Sequence, residues 1–146
     1  TDAGRAQAAR VARDERRWYG ATTDLSVEFG GANLFGSLMY HYIDGSQQFD
    51  FWAAVIQGGW FIAPEHELFA RWEWGETEPV AQADVMVMTA GWNWYLDGHD
   101  LKLTMDFGFA ESIIDLIWTS EVAGFRRDFR RDEHQWVIRS QFQFIF

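Results

Sequence analysis

From Trp18 to the end of the chain, apolar and polar residues change places at every second position, the period of a β-strand. "TTDLSVEFG" sets Leu25, Val27 and Phe29 against Asp24, Ser26 and Glu28, and "NLFGSLMYHY" sets Leu34, Leu38, Tyr40 and Tyr42 against Asn33, Ser37 and His41. "ELFARWEW" is the cleanest case, with Leu68, Ala70, Trp72 and Trp74 opposed to Glu67, Arg71 and Glu73. The same alternation runs through "FWAAVIQGGW", "VMVMTAGWNW", "LKLTMDFGF" and the terminal "QWVIRSQFQFIF", which predicts seven strands. The connectors alternate in length. "GGA", "APEH" and "DGHD" are tight turns, whereas "IDGSQQ", "GETEPVAQA" and the stretch from Glu111 to Glu133 are longer and more polar. An up-and-down meander with one short rim and one long rim follows, the asymmetry of an outer-membrane barrel.

Aromatic residues make up 18% of the 146 residues, nine of them Trp and thirteen Phe. That is roughly twice the usual share, so the position of the rings matters. On the apolar phase they gather at strand ends. Tyr40, Tyr42, Trp52, Trp72, Trp74, Phe107, Phe109 and Trp136 fall toward the long-connector rim, and Phe29, Trp60, Trp92, Trp94, Phe144 and Phe146 toward the other. Leu38, Ala54, Ile56, Ala70, Met88, Ala90, Leu103, Met105 and Ile138 fill the middle. Two aromatic girdles around an aliphatic band suit the two interfaces of a bilayer. A β-sandwich core would instead favour its largest residues at mid-strand. The pattern therefore predicts an all-β, antiparallel, up-and-down transmembrane β-barrel segment in a bacterial outer membrane, over 18–146, with residues 1–17 a loop or loose end and 111–133 a long external loop.

Charge and composition prune other classes. A net charge of −10 disfavours nucleic acid and anionic headgroups as principal partners. The absence of Cys removes disulfide scaffolds, thiolate zinc sites and Cys nucleophiles. No run of about 18 apolar residues occurs, so no transmembrane helix is expected. "TDAGRAQAARVARDERR" has no initiating Met and no apolar stretch, so it reads as the interior of a longer or processed chain.

"WYGATTDLSVEFGGANLFGSLMYHY", "AAVIQGGWFIAPEHELFARWEWGE", "TAGWNWYLDGHDLKLTMDFGF" and the closing "QFQFIF" together resemble the C-terminal third of the porins O and P family, the phosphate-selective porins. The most specific pieces are the Pro-x-x-Glu-Leu-Phe-Ala-Arg-Trp-Glu run from Pro64 to Glu73 and the Gly-x-Asn-x-Tyr-Leu-x-Gly-His-x-x-Lys-Leu run from Gly91 to Leu103. The resemblance implies a barrel of about sixteen to eighteen strands around an aqueous channel. The remaining strands would come from a longer chain or from other subunits, with a homotrimer as the implied assembly. Phe146 behind alternating aromatics resembles the signal read by the barrel assembly machinery. No motif match carries the family's phosphate-binding residues onto this chain.

In such a wall the polar phase faces water. The predicted lining residues are Glu28, Gln57, Glu67, Arg71, Glu73, Asn93, Lys102, Asp106 and Arg139, of both signs. They could create a transverse field for polar solutes, or form cross-strand pairs that stiffen the wall. The basic "FRRDFRR" (125–131) could fold inward and attract anions, or lie in a solvated external loop neutralised by Asp128, Asp132 and Glu133.

Catalysis is not expected. Glu67 and Glu73 are about 20 Å apart along a strand, beyond the roughly 5–10 Å of glycosidase carboxylates. No catalytic motif is present, and His41, His66, His99 and His134 are scattered. No metal or other cofactor is implied. The functional expectation is passive diffusion of small polar solutes or ions through a lipid-embedded porin. The alternatives are a non-conducting barrel serving as envelope scaffold and a soluble β-sandwich that binds carbohydrate.

Overall fold

A computed structural model describes residues 17–44, 48–78, 84–98, 100–111, 124–125 and 134–145. The predicted N-terminal segment up to residue 16, most of the 111–133 connector and Phe146 lie outside these residues. Seven strands follow one another as β1 (Arg17–Phe29), β2 (Ala32–Asp44), β3 (Phe49–Ala63), β4 (His66–Glu78), β5 (Val85–Asp97), β6 (Leu101–Ala110) and β7 (Gln135–Phe144). They form one sheet in the order β1-β2-β3-β4-β5-β6-β7, with each strand antiparallel to its chain neighbour. All seven expected strands are present; β1 takes in Arg17, one residue before the expected boundary. β1 and β7 are not paired with each other, so the sheet is open among the described residues.

The turns explain the short rim. Gly30 and Gly31 join β1 to β2 with φ of 55° and 82°, the doubly left-handed pair of a two-residue type I′ hairpin. Pro64 and Glu65 turn β3 into β4, and Gly98, at φ 52°, helps turn β5 into β6. The pairing register shifts between Phe61 and Ala63 and again between Tyr95 and Asp97, so bulges sit just inside two of these turns. Neighbouring hairpins are laced together there. Phe61 N donates to Gly31 O at 2.8 Å, Tyr95 N to Glu65 O at 2.8 Å, and Ile145 N to Asp100 O at 2.9 Å.

Among the described residues no further strand or helix covers either face of the sheet, since packing between elements runs only between sequential strands. Among the described residues no large side chain is fully buried. Among the described residues the ladder therefore holds the sheet far more than the one small apolar cluster at Val85, Ala110 and Phe125 does.

Because left-handed backbone costs an L-residue about 1–2 kcal/mol, Gly31→Val is expected to lower unfolding stability by about that amount. The denaturant midpoint of the full-length protein measures it, with the slope of the transition unchanged.

Candidate functional site

Register sorts the side chains into two faces, because residues paired across an antiparallel ladder point the same way. Glu28, Gln57, Glu67, Arg71, Glu73, Asn93, Lys102, Asp106 and Arg139 all fall on one face, the polar one. Trp52, Trp60, Trp72, Trp74, Trp92, Trp94, Trp136 and Phe144 all fall on the other. Large apolar groups on that second face are open to the surroundings, with Trp60 65% and Ile138 79% exposed.

The rings on the apolar face form two belts that cross the strands obliquely. Leu25, Gly36, Ile56, Trp72, Met88, Phe109 and Trp136 lie on one line across the ladder. The long-connector belt lies well toward the rim from this line at Tyr40, Tyr42 and Trp52, and meets it at Trp72, Phe109 and Trp136. The second belt slopes the same way, from Phe29 and Trp60 to Trp94, Phe142 and Phe144. Contacts between rings are close within each belt: Tyr40 to Trp52 at 4.5 Å, Phe109 to Trp136 at 4.4 Å, Trp92 to Trp94 at 5.9 Å and Phe142 to Phe144 at 4.6 Å. Past the first belt the same face turns acidic at Asp50, Glu76 and Glu78, and Tyr40 Oη donates to Asp50 Oδ1 at 2.8 Å. The slope corrects two expectations. Phe107 pairs with Ala90 and Ile138, so it lies in the mid-band and not in the long-connector belt. Leu103 pairs with Trp94 and Phe142, so it lies level with the short-rim belt and not in the mid-band.

On the polar face the central feature is Glu67, only 7% exposed. Its Oε1 accepts from Asn33 Nδ2 at 2.9 Å, and its Oε2 from Asn93 Nδ2 at 2.8 Å and from Tyr95 Oη at 2.6 Å. Thr104 Oγ1 donates to Asn93 Oδ1 at 2.7 Å, which fixes that amide so that its nitrogen faces the carboxylate. The network spans β2 to β6. It fits because β3 carries Gly59 at the crossing, where a Cβ would run into both the Glu67 carboxylate and the Asn33 amide. Phe61 stacks on Tyr95 at 5.5 Å, and Lys102 Nζ sits 5.6 Å from the Tyr95 ring centroid.

Four other charges on this face lie in two pairs. Arg139 reaches Asp106 Oδ1 through both Nε and Nη2 at 2.6 Å and approaches Thr89 Oγ1 at 3.4 Å. Arg71 Nε lies 3.1 Å from Glu73 Oε2 on its own strand, aligned too poorly for a hydrogen bond. The Asp106–Arg139 pair bridges two strands, as the cross-strand reading expects, whereas the Arg71–Glu73 pair runs along one. Glu28 and Gln57 belong to the same face but join none of these pairs. Asn33, Glu67, Arg71, Asn93, Lys102 and Arg139 are among the residues around a groove of about 990 Å³ over this face.

Toward the long-connector rim the polar face becomes apolar at Val85, Val87, Ala110 and Val137. Phe125, from the β6–β7 connector, is buried there against Val85 and Ala110, at 8% exposure. The apolar patch breaks the polar phase of β5 to β7, and that break is the sequence signal for the contact. Arg126–Arg131 of the basic run lie outside the described residues. Among the described residues no group of three or more His, Cys, Asp or Glu could hold a metal ion.

The fold and faces define an all-β, one-sheet, up-and-down architecture with one aromatic-belted apolar face and one polar face. No known protein family, curated protein or solved structure matches the chain.

A hydrogen bond to a charged group contributes about 1.5–3 kcal/mol, and Glu67→Gln turns an acceptor into a donor facing donors. That substitution is expected to destabilise the fold by about 1.5–3 kcal/mol, while Glu73→Gln, at a half-exposed pair, changes it by about 0–1 kcal/mol. Equilibrium unfolding of both variants checks the contrast.

Proposed function

We propose that this chain is part of the wall of a bacterial outer-membrane β-barrel, a porin through which small polar solutes or ions diffuse passively. The observation that carries the reading is the pair of oblique aromatic belts, sloping the same way, on an otherwise aliphatic, exposed face. The belts step by between half a residue and one residue per strand. At about 3.4 Å per residue and 4.8 Å between strands, that slope corresponds to a tilt of about 20–35°, approaching the 35–45° of closed barrels. Trp52 and Trp60 are eight residues apart on β3. That is about 27 Å along the strand and, once tilted, comparable to the apolar band of about 25 Å in outer-membrane proteins. Tryptophan and tyrosine favour the two interfaces because each ring offers an apolar body and a polar edge.

The polar face then borders water. The resemblance to the porins O and P family, carried by Pro64–Glu73 and Gly91–Leu103, supplies the channel reading and the count of about sixteen to eighteen strands. The unpaired edges of β1 and β7 are where the remaining strands, from a longer chain or from other subunits, would join. Outer-membrane lipid is the partner of the apolar face. The barrel assembly machinery would engage the C-terminal strand, a homotrimer is the assembly suggested by the family, and no enzymatic activity, cofactor or nucleic acid enters. The non-conducting scaffold reading is favoured by one observation, the inward course of Phe125, which takes up space over the polar face.

Single-channel conductance of the full-length protein in a planar bilayer tests the proposal. Discrete open steps support it, and a protein that inserts without conducting replaces it with the scaffold. The face assignment has its own check. Ile56→Arg, in the aliphatic band, is expected to cost about 2–4 kcal/mol of folding stability in lipid vesicles. Ser37→Arg, on the polar face beside it, should stay within about 0.5 kcal/mol of wild type.

A further inference from the structure

Phe69 stands on the polar phase of β4 between Glu67 and Arg71, and it makes no ring contact among the described residues. Its cross-strand neighbours are both glycines, Gly59 on β3 and Gly91 on β5. The two glycines serve different side chains. Over Gly59 lean the Glu67 carboxylate and the Asn33 amide, whereas Gly91 receives Phe69 itself: a Cβ there would stand 2.5 Å from Phe69 Cζ and 2.6 Å from Phe69 Cε1. The ring thus lies across the β4–β5 ladder, where it lines the groove of about 990 Å³. An aromatic ring set among polar groups in a groove offers its apolar surface to whatever solute occupies that space.

Charge is balanced around the ring. Arg71 is paired with Glu73 and Arg139 with Asp106, and Lys102 is matched in number by Glu67, so these six groups sum to zero. Asp24 and Glu28, on β1, are not among the lining residues of the groove. A wall without net charge neither concentrates nor repels an ion of either sign. The groove offers uncharged hydrogen bonding instead. Gln57 and Gln141 line it without a hydrogen-bond partner among the described residues, and each amide both donates and accepts. Gln57 pairs with Arg71, so it stands diagonally across the β3–β4 ladder from Phe69. Gln141, on β7, lies farther along the groove. This combination suits a neutral solute with an apolar face and a rim of hydroxyl groups, which is the chemistry of a sugar ring.

We propose that the groove around Phe69 is a resting subsite for neutral sugars, which lay an apolar face on the ring and turn hydroxyls to Gln57, with Gln141 placed to meet a further unit of a longer chain. The proposal rests on the porin reading of the polar face and narrows its small polar solutes to one class.

Single-channel currents of the full-length protein, recorded with maltotriose on one side and then with inorganic phosphate in its place, test the subsite. Block is expressed as a fraction of each variant's own open current. Maltotriose is expected to interrupt the wild-type current at lower concentration than phosphate does. Phe69→Leu keeps apolar bulk but removes the ring, so it is expected to weaken the sugar block by about threefold or more, whereas Phe69→Tyr keeps the ring and the block. Where Phe69→Leu fails to insert, Gln57→Leu carries the comparison, with an expected weakening of about threefold. Phe51→Leu, on the same face toward the long-connector rim, should block as wild type does. A conducting wild type that maltotriose does not block, a stronger block by phosphate, or a block left intact by Phe69→Leu or Gln57→Leu overturns the subsite alone. So does a Phe69→Tyr channel as impaired as Phe69→Leu. A wild-type protein that never conducts overturns the porin reading and the subsite together.

Discussion

Side chains of a strand alternate with a period of two, so a slip of one residue in any ladder would turn that strand's belt of rings to the polar side and its carboxylates to the apolar side. The continuous register from β1 to β7 is thus the constraint on which both faces depend. Tight turns fix it at one rim, where left-handed glycines at 30 and 31 leave no slack. The register shifts at Phe61–Ala63 and Tyr95–Asp97 lie next to the turns, so the mid-strand ladder stays in step. With only one small buried apolar cluster among the described residues, the cross-strand side-chain contacts enforce alignment together with the backbone. The stacked rings grip neighbouring strands on one side and the Glu67 network grips them on the other.

Glu67 and Arg139 show how a polar face can be both charged and rigid. Neutral donors surround the Glu67 carboxylate, so its negative charge remains while its position is held from three directions. Arg139 is tied to Asp106 and at the same time lends its guanidinium face to Phe125. One side chain thereby couples an ion pair in the wall to the seating of a connector more than ten residues away in sequence. Charge on this face serves shape as much as electrostatics.

The strands, their order and the two faces were legible because they are local properties: a period of two and the punctuation of Gly, Pro and Asp-Gly. Membership of a face was likewise readable for Gln57, Arg71 and Trp92 from their phase within one strand. Height was not, because the level of Leu103 depends on how five ladders are staggered, a relation between strands that no single segment contains. The donors of Glu67 escaped for a similar reason. Asn33 lies 34 positions before it and Asn93 lies 26 after it, and nothing in "GGANLF" or "GWNWYL" marks those amides as partners. The Phe125 seat was half visible. Val85, Ala110 and Val137 interrupt a polar phase, but the residue that covers them sits in a connector whose own composition reads as polar.

The slope of the belts also gauges circumference. A strand inclined to the axis occupies more of the perimeter than its spacing alone, about 5.5 Å at a tilt near 30°. Seven strands then span about 40 Å of arc. Wrapped on themselves they would leave a bore about 13 Å across between backbones, already crowded once Tyr95, Phe69, Arg71 and Arg139 extend into it. In the larger ring proposed above, the same arc would be shallow enough for these side chains to stand as a relief on a curved wall. Curvature, more than the identity of any lining residue, then decides how much open water the polar face can border.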